Sequence, residues 1–117
     1  MDNIVIQIPL KNEYLTTVRL ATGGICATEE FDVDFAEDLK VCVTESLLIL
    51  MRNGYASAKI TFVKGDLLSC KIVGEDKTRD SENSVEDEIS YALLDALIGG
   101  AKFTFDGDVV KEISFEA

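Results

Sequence analysis

The sequence contains no histidine and no tryptophan, one proline, and only 11 basic residues against 22 acidic ones. Each shortage excludes something. Without histidine there is no Ser-His-Asp triad for Ser46, Ser57, Ser69, Ser81, Ser84, Ser90 or Ser114 to join, and a zinc or other transition-metal site lacks its usual nitrogen ligand. Cys26, Cys42 and Cys70 are odd in number, far apart and set in apolar patterns, so they do not form a disulfide framework and suit a reduced cytoplasm. Cys42 and Cys70 read as core side chains and not as nucleophiles. No apolar run approaches the roughly 20 residues that cross a bilayer, and the N-terminus lacks the basic start and apolar middle of a signal peptide. A net charge of −11 repels phosphate backbones, which disfavours DNA and RNA and steers the chain toward basic partners. Such a surface is also an ordinary source of solubility. Paired acids such as Glu75-Asp76 and Glu86-Asp87-Glu88 lack the spaced oxygens and glycine of a calcium loop.

What is present, at 117 residues with 47% hydrophobic content, is material for one domain spanning 1–117. Residues 3–8 (NIVIQI) form a β-branched run that reads as a strand ended by Pro9. Asn12 is placed as N-cap of a helix that carries Tyr14, Leu15, Val18, Ala21 and Ile25 and continues through Gly23-Gly24 to about Thr28. Asp34 to Gly54 is the most strongly patterned stretch. Asp34 and Glu37 predict a capping box, and Phe35, Leu39, Val43, Leu47 and Leu50 make a core stripe. Arg52 and Asn53-Gly54 close the helix. The period then changes to two: Ala58, Ile60, Phe62 and Leu68, Cys70, Ile72 predict a hairpin turning at Lys64-Gly65-Asp66. From Gly74 to Glu88 hydrophobicity collapses, with seven acids against Lys77 and Arg79, and the stretch reads as a solvated loop. Ser84 and Asp87 cap a third helix with Val85, Ile89, Ala92, Leu93, Ala96 and Leu97 on its apolar face, and Gly99-Gly100 stops it. A second hairpin follows, Ala101 to Phe105 and Val109 to Phe115 around Asp106-Gly107-Asp108. The expected order is β-α-α-β-β-α-β-β, an α+β two-layer sandwich with a mostly antiparallel sheet of about five strands and three helices on one face.

Two phrases carry a family resemblance: I-P-x-x-x-E-Y-x-x-x-V-R-L at Ile8 to Leu20, and F-D-x-D-x-x-E-D-L-K-V-x-V-x-E-S at Phe31 to Ser46. With the element order, they resemble the GHKL (histidine-kinase-like) ATPase fold and, within it, the bacterial anti-sigma-factor serine kinases. The resemblance implies a second helix bearing a glutamate, as base or orienting group, and an asparagine four residues later that helps hold Mg²⁺. Glu45 matches the glutamate, making it the one candidate catalytic residue, a remnant. It projects among Val41, Leu48 and Ile49, and its plainer reading is a carboxylate capping amides or paired with Arg52 or Lys40. The asparagine position holds Ile49, whose side chain has no lone pair for a hard cation.

The resemblance also implies an aspartate that reads adenine; its position here is Gly74, and Asp76 would serve only with the loop shifted by two residues. The phosphate-loop glycines fall at Glu88-Ile89-Ser90, which has none. The sequence therefore predicts a degenerate domain without cofactor or metal, ATP and Mg²⁺ returning only if the motifs lie elsewhere. The resemblance implies protein partners of the sigma-factor or antagonist class and a homodimer, with Gly23-Gly24 as a close-packed contact. An active ATP-dependent serine kinase and a small-molecule sensor using the altered cleft are the alternatives.

Overall fold

The computed structural model describes residues 2–80 and 84–116. Strand β1 (Asp2–Pro9) leads into helices α1 (Asn12–Thr28) and α2 (Val33–Arg52), the hairpin β2 (Tyr55–Lys64) and β3 (Leu68–Lys77), helix α3 (Val85–Leu97), and the hairpin β4 (Lys102–Asp106) and β5 (Val109–Glu116). The five strands form one antiparallel sheet in the order β1-β2-β3-β5-β4. Element order and fold class agree with the expectation from sequence. Among the described residues, no helix is long and apolar enough to cross a membrane.

The period-two pattern sorts the sheet faces. Ala58, Ile60, Phe62, Cys70, Ile72, Ile113 and Phe115 are buried beneath the helices, while Lys59 and Lys71 lie exposed between them. Helix α2 lies on β2, β3 and β5, and α1 and α3 each pack against α2. Its stripe of Leu39, Val43, Leu47 and Leu50 is at most 1% exposed, as are Cys42 and Ile49. Each such burial stabilises by about 1.5–3 kcal/mol for a full aliphatic side chain, so α2 is the centre of the core.

Several local expectations are corrected. Helix α1 starts at Asn12 itself, and Lys11 holds the extended cap position without a side-chain bond. The cap of α2 is Asp32, whose carboxylate accepts from the Phe35 amide at 2.7 Å; Asp34 is already inside the first turn. Asp32 stands three residues before Phe35, the reach its short side chain needs. Strand β3 runs on to Lys77, so Gly74 to Lys77 belong to the sheet and not to the acidic loop. They pair with β2 at Ala58↔Gly74, Ser57↔Glu75 and Tyr55↔Lys77. Residues 81–83 of that expected loop lie outside the described residues.

Helix α1 does pass unbroken through Gly23-Gly24. A Cβ at Gly23 would come within 2.8 Å of the Lys40 side chain, so this close approach is to α2 of the same chain. Asn53 and Gly54 end α2, with Gly54 at φ 92, and an added Cβ there would collide with the Arg79 carbonyl oxygen. Arg79 in turn donates to the carbonyls of Met51 and Arg52, completing the helix end with a cation.

The largest correction concerns α3. Its capping box is present, Ser84 accepting from the Asp87 amide and Asp87 from the Ser84 amide. Yet Val85 and Ile89, placed on the apolar inner face by periodicity, are 75% and 63% exposed, and Ala92 and Ala96 are exposed too. The helix instead buries Asp87, Ser90 and Leu94. The reason is polar and lies on α2.

Candidate functional site

The site that sequence reasoning pointed to is the seam between α2 and α3. Glu45 is half-buried there, and its carboxylate accepts from Ser90 Oγ at 2.9 Å. Ser90 thus supplies a partner for Glu45 that the sequence reading did not name. Lys40, one of the two partners considered, bonds Glu37 at 2.9 Å. The other, Arg52, reaches across to α3. Its Nε donates to Asp87 Oδ1 at 2.7 Å, and a terminal nitrogen donates to Ser90 Oγ at 2.7 Å and more distantly to the Glu86 carbonyl at 3.4 Å.

Asp87 is wholly shielded from solvent, whereas the Arg52 side chain keeps 29% exposure. A buried carboxylate is costly unless its lone pairs are filled. Here Oδ1 has Arg52, and Oδ2 has Asn53 Nδ2 at 3.2 Å and the Ser84 amide at 3.3 Å. Asn53 is equally buried and equally satisfied. Its Nδ2 also donates to the Ile49 carbonyl at 2.7 Å, and its Oδ1 accepts from the Val110 amide at 3.0 Å. One side chain therefore joins the end of α2, the start of α3 and the start of β5. This network turns the polar side of α3 inward.

Ile49 is 0% exposed and belongs to the core cluster, so the position where the resemblance implies a metal-holding asparagine is an apolar packing site. Gly74 lies in β3, where a Cβ would stand 2.6 Å from the Tyr55 ring; the glycine makes room for that aromatic. Asp76 is exposed, at φ 56, and its carboxylate accepts from Ser57 Oγ at 2.9 Å. Glu88-Ile89-Ser90 lies within α3, with Ser90 inward and Glu88 and Ile89 exposed. The structure thus joins Glu45 and Ser90, and leaves Gly74 and Asp76 on the sheet.

Sequence reasoning missed Asn53 and Asp87 as members of the site, having read them as a helix exit and a cap. The available signal was the pair of phrases Arg52-Asn53-Gly54 and Ser84-Val85-Glu86-Asp87, which carry complementary donors and acceptors. Titration behaviour is set mainly by burial. It pushes the Cys42 thiol up to about 11, helped by the Asp38 and Glu45 carboxylates, and raises Cys26 and Cys70. Burial also pushes Tyr91 up to about 12, with Asp87 and Glu88 adding to it. All three cysteines are free and buried, as their apolar settings implied.

No protein-family model matches the chain. Among characterised proteins, it is 30% identical over 84 residues to the serine-protein kinase RsbW of Listeria monocytogenes serovar 1/2a (strain ATCC BAA-679 / EGD-e), covering 70% of this chain and 51% of that protein. It is 33% identical over 54 residues to serine-protein kinase RsbW of L. monocytogenes serotype 4a (strain HCC23), 46% of this chain and 34% of that protein. With serine-protein kinase RsbW of Bacillus mycoides (strain KBAB4) it shares 30% identity over 66 residues, 55% of this chain and 41% of that protein. The chain spans about half the length of these relatives or less. In sequence, the chain resembles the bacterial anti-sigma-factor serine kinases, through relatives named serine-protein kinase RsbW.

Proposed function

We propose that this is an anti-sigma-factor-kinase-like regulatory domain that acts by binding a protein partner, without binding or hydrolysing ATP. The observation that carries the reading is the fate of the seam between α2 and α3. Ile49 packs in the core where a Mg²⁺ ligand would stand, and Asp87, Asn53, Arg52 and Ser90 satisfy one another across the seam. These residues do not fit Mg-ATP. Isoleucine offers no oxygen to the metal, and the Asp87 carboxylate already accepts from Arg52, Asn53 and the Ser84 amide. A phosphate chain brought to the exposed acids Glu86 and Glu88 would meet like charge.

Partners of the sigma-factor or antagonist class, and pairing as a homodimer, follow from the resemblance. A cytoplasmic location accords with three cysteines held as thiols. The alternative is an ATP-dependent protein serine kinase, favoured by the retained Glu45 and by the name of the relatives. Incubation with radiolabelled ATP, Mg²⁺ and a panel of antagonist-type proteins separates the two. The binding reading predicts no label on any serine, and transfer that disappears in Glu45→Gln would establish the kinase instead.

A further inference from the structure

Helix α3 carries an apolar ridge on its solvent side. Val85, Ile89, Ala92 and Ala96 recur at steps of four, three and four, so they form one stripe roughly 16 Å long, at 1.5 Å per residue. The stripe is bordered by acids, Glu86 on one flank and Glu88 and Asp95 on the other, all exposed. The helix has no lysine or arginine. An apolar centre inside a charged rim is the anatomy of a protein interface.

We propose that this ridge docks a basic amphipathic helix of a partner protein, its apolar residues laid along Val85, Ile89, Ala92 and Ala96 and its lysines or arginines set against the acidic flanks. The helical spacing of the ridge is matched by the i, i+3, i+4, i+7 spacing of a second helix. Charge selects among occupants. A second copy would bring the same acidic flanks and a net charge of −11 to the contact. An anionic lipid surface is repelled by them for the same reason. The proposal deepens the partner-binding reading above, since it supplies a surface and a chemistry for the partner.

The test uses the full chain and a fluorescein-labelled, 18-residue designed peptide, leucine on one face with lysine and arginine on both flanks. A matched peptide carries glutamate in place of the basic residues. Fluorescence anisotropy is expected to show saturable binding of the basic peptide only, with amide shifts in NMR concentrated on α3. Val85→Ser/Ile89→Ser removes two exposed side chains, so the fold is retained, as circular dichroism will verify, and affinity is expected to fall at least tenfold. Glu86→Lys/Asp95→Lys should lose the basic peptide by a similar factor and gain the acidic one. The proposal is overturned by unchanged affinity in either variant, by shifts mapping away from α3, or by no binding at all. A dimer that the serine variant breaks also overturns it, assigning the ridge to a second copy. Titration of the same samples with Mg-ATP reads the absence of nucleotide binding separately, so either claim can fail without the other.

Discussion

Asn53 Nδ2 donates to Asp87 Oδ2 at 3.2 Å, and both side chains are completely shielded from solvent. The two residues are 34 positions apart, and their contact fixes how α3 rotates about its own axis. With Arg52 on the other carboxylate oxygen, α3 must face inward at Asp87, Ser90 and Leu94.

Removing one partner leaves the others unpaired. Asp87→Ala is expected to destabilise by about 3–5 kcal/mol, the range for breaking a buried, hydrogen-bonded ion pair. Arg52→Ala should cost at least as much, because it leaves the wholly buried Asp87 carboxylate with Oδ1 unfilled, whereas the Arg52 left behind by Asp87→Ala keeps 29% exposure to solvent. Urea denaturation of both single variants and the double variant measures this. A large coupling energy is expected, since the double variant removes both charges at once.

The two candidate caps of α2 separate cleanly. Asp32→Ala removes the acceptor of the Phe35 amide and is expected to cost about 1 kcal/mol. Asp34→Ala, inside the exposed first turn, should change stability by no more than a few tenths of that, through the helix dipole alone. Thermal melts of the two variants decide it.

Much of the architecture was legible because hydrophobic period reports burial wherever burial alone decides. The α2 stripe and the alternation in β2 and β3 are of that kind, while the glycine stop after α3 rests on the positive φ of Gly99 and Gly100. The capping-box spacing of Asp34 and Glu37 points to Asp34 as the cap, but Asp32 has the same side chain and also precedes the stripe; only the backbone distinguishes them. The face of α3 failed for a different reason. Its most apolar stripe should point inward by amphipathicity, but Asp87 and Ser90 had partners waiting on Arg52, Asn53 and Glu45. A one-dimensional pattern does not contain the other half of a polar contact. At the site itself, Glu45 was legible as a carboxylate in apolar company, while Ser90, its actual partner, was not.

The thiols provide a pH test. In the unfolded chain Cys42 ionises near the ordinary thiol value of 9.0, and in the folded chain burial holds it protonated up to about 11. Below pH 9 the thiol is neutral in both states and stability does not depend on it. As pH rises from 9 toward 11 the unfolded state loses the proton first, so stability falls. Urea midpoints at pH 8 and pH 10 should show this decline, lessened in Cys42→Ala. At pH 8 a thiol reagent should react with none of the three cysteines until the chain is unfolded.

Ile49→Asn introduces the residue that the resemblance implies at this position. Its side chain would enter a site with 0% exposure among Cys42, Leu50 and their neighbours, losing apolar contacts and burying an amide. A cost of about 2–4 kcal/mol is expected from the two effects together. The variant should melt earlier and gain no affinity for Mg-ATP, because the Arg52–Asp87–Asn53 network still spans the seam.

Isothermal titration calorimetry of the full chain with Mg-ATP is the direct test of whether a nucleotide site survives. With no such site, no saturable heat is expected up to millimolar nucleotide, in the wild-type chain and in Ile49→Asn alike. A one-to-one isotherm with a micromolar Kd, abolished by Glu45→Gln, would contradict that expectation.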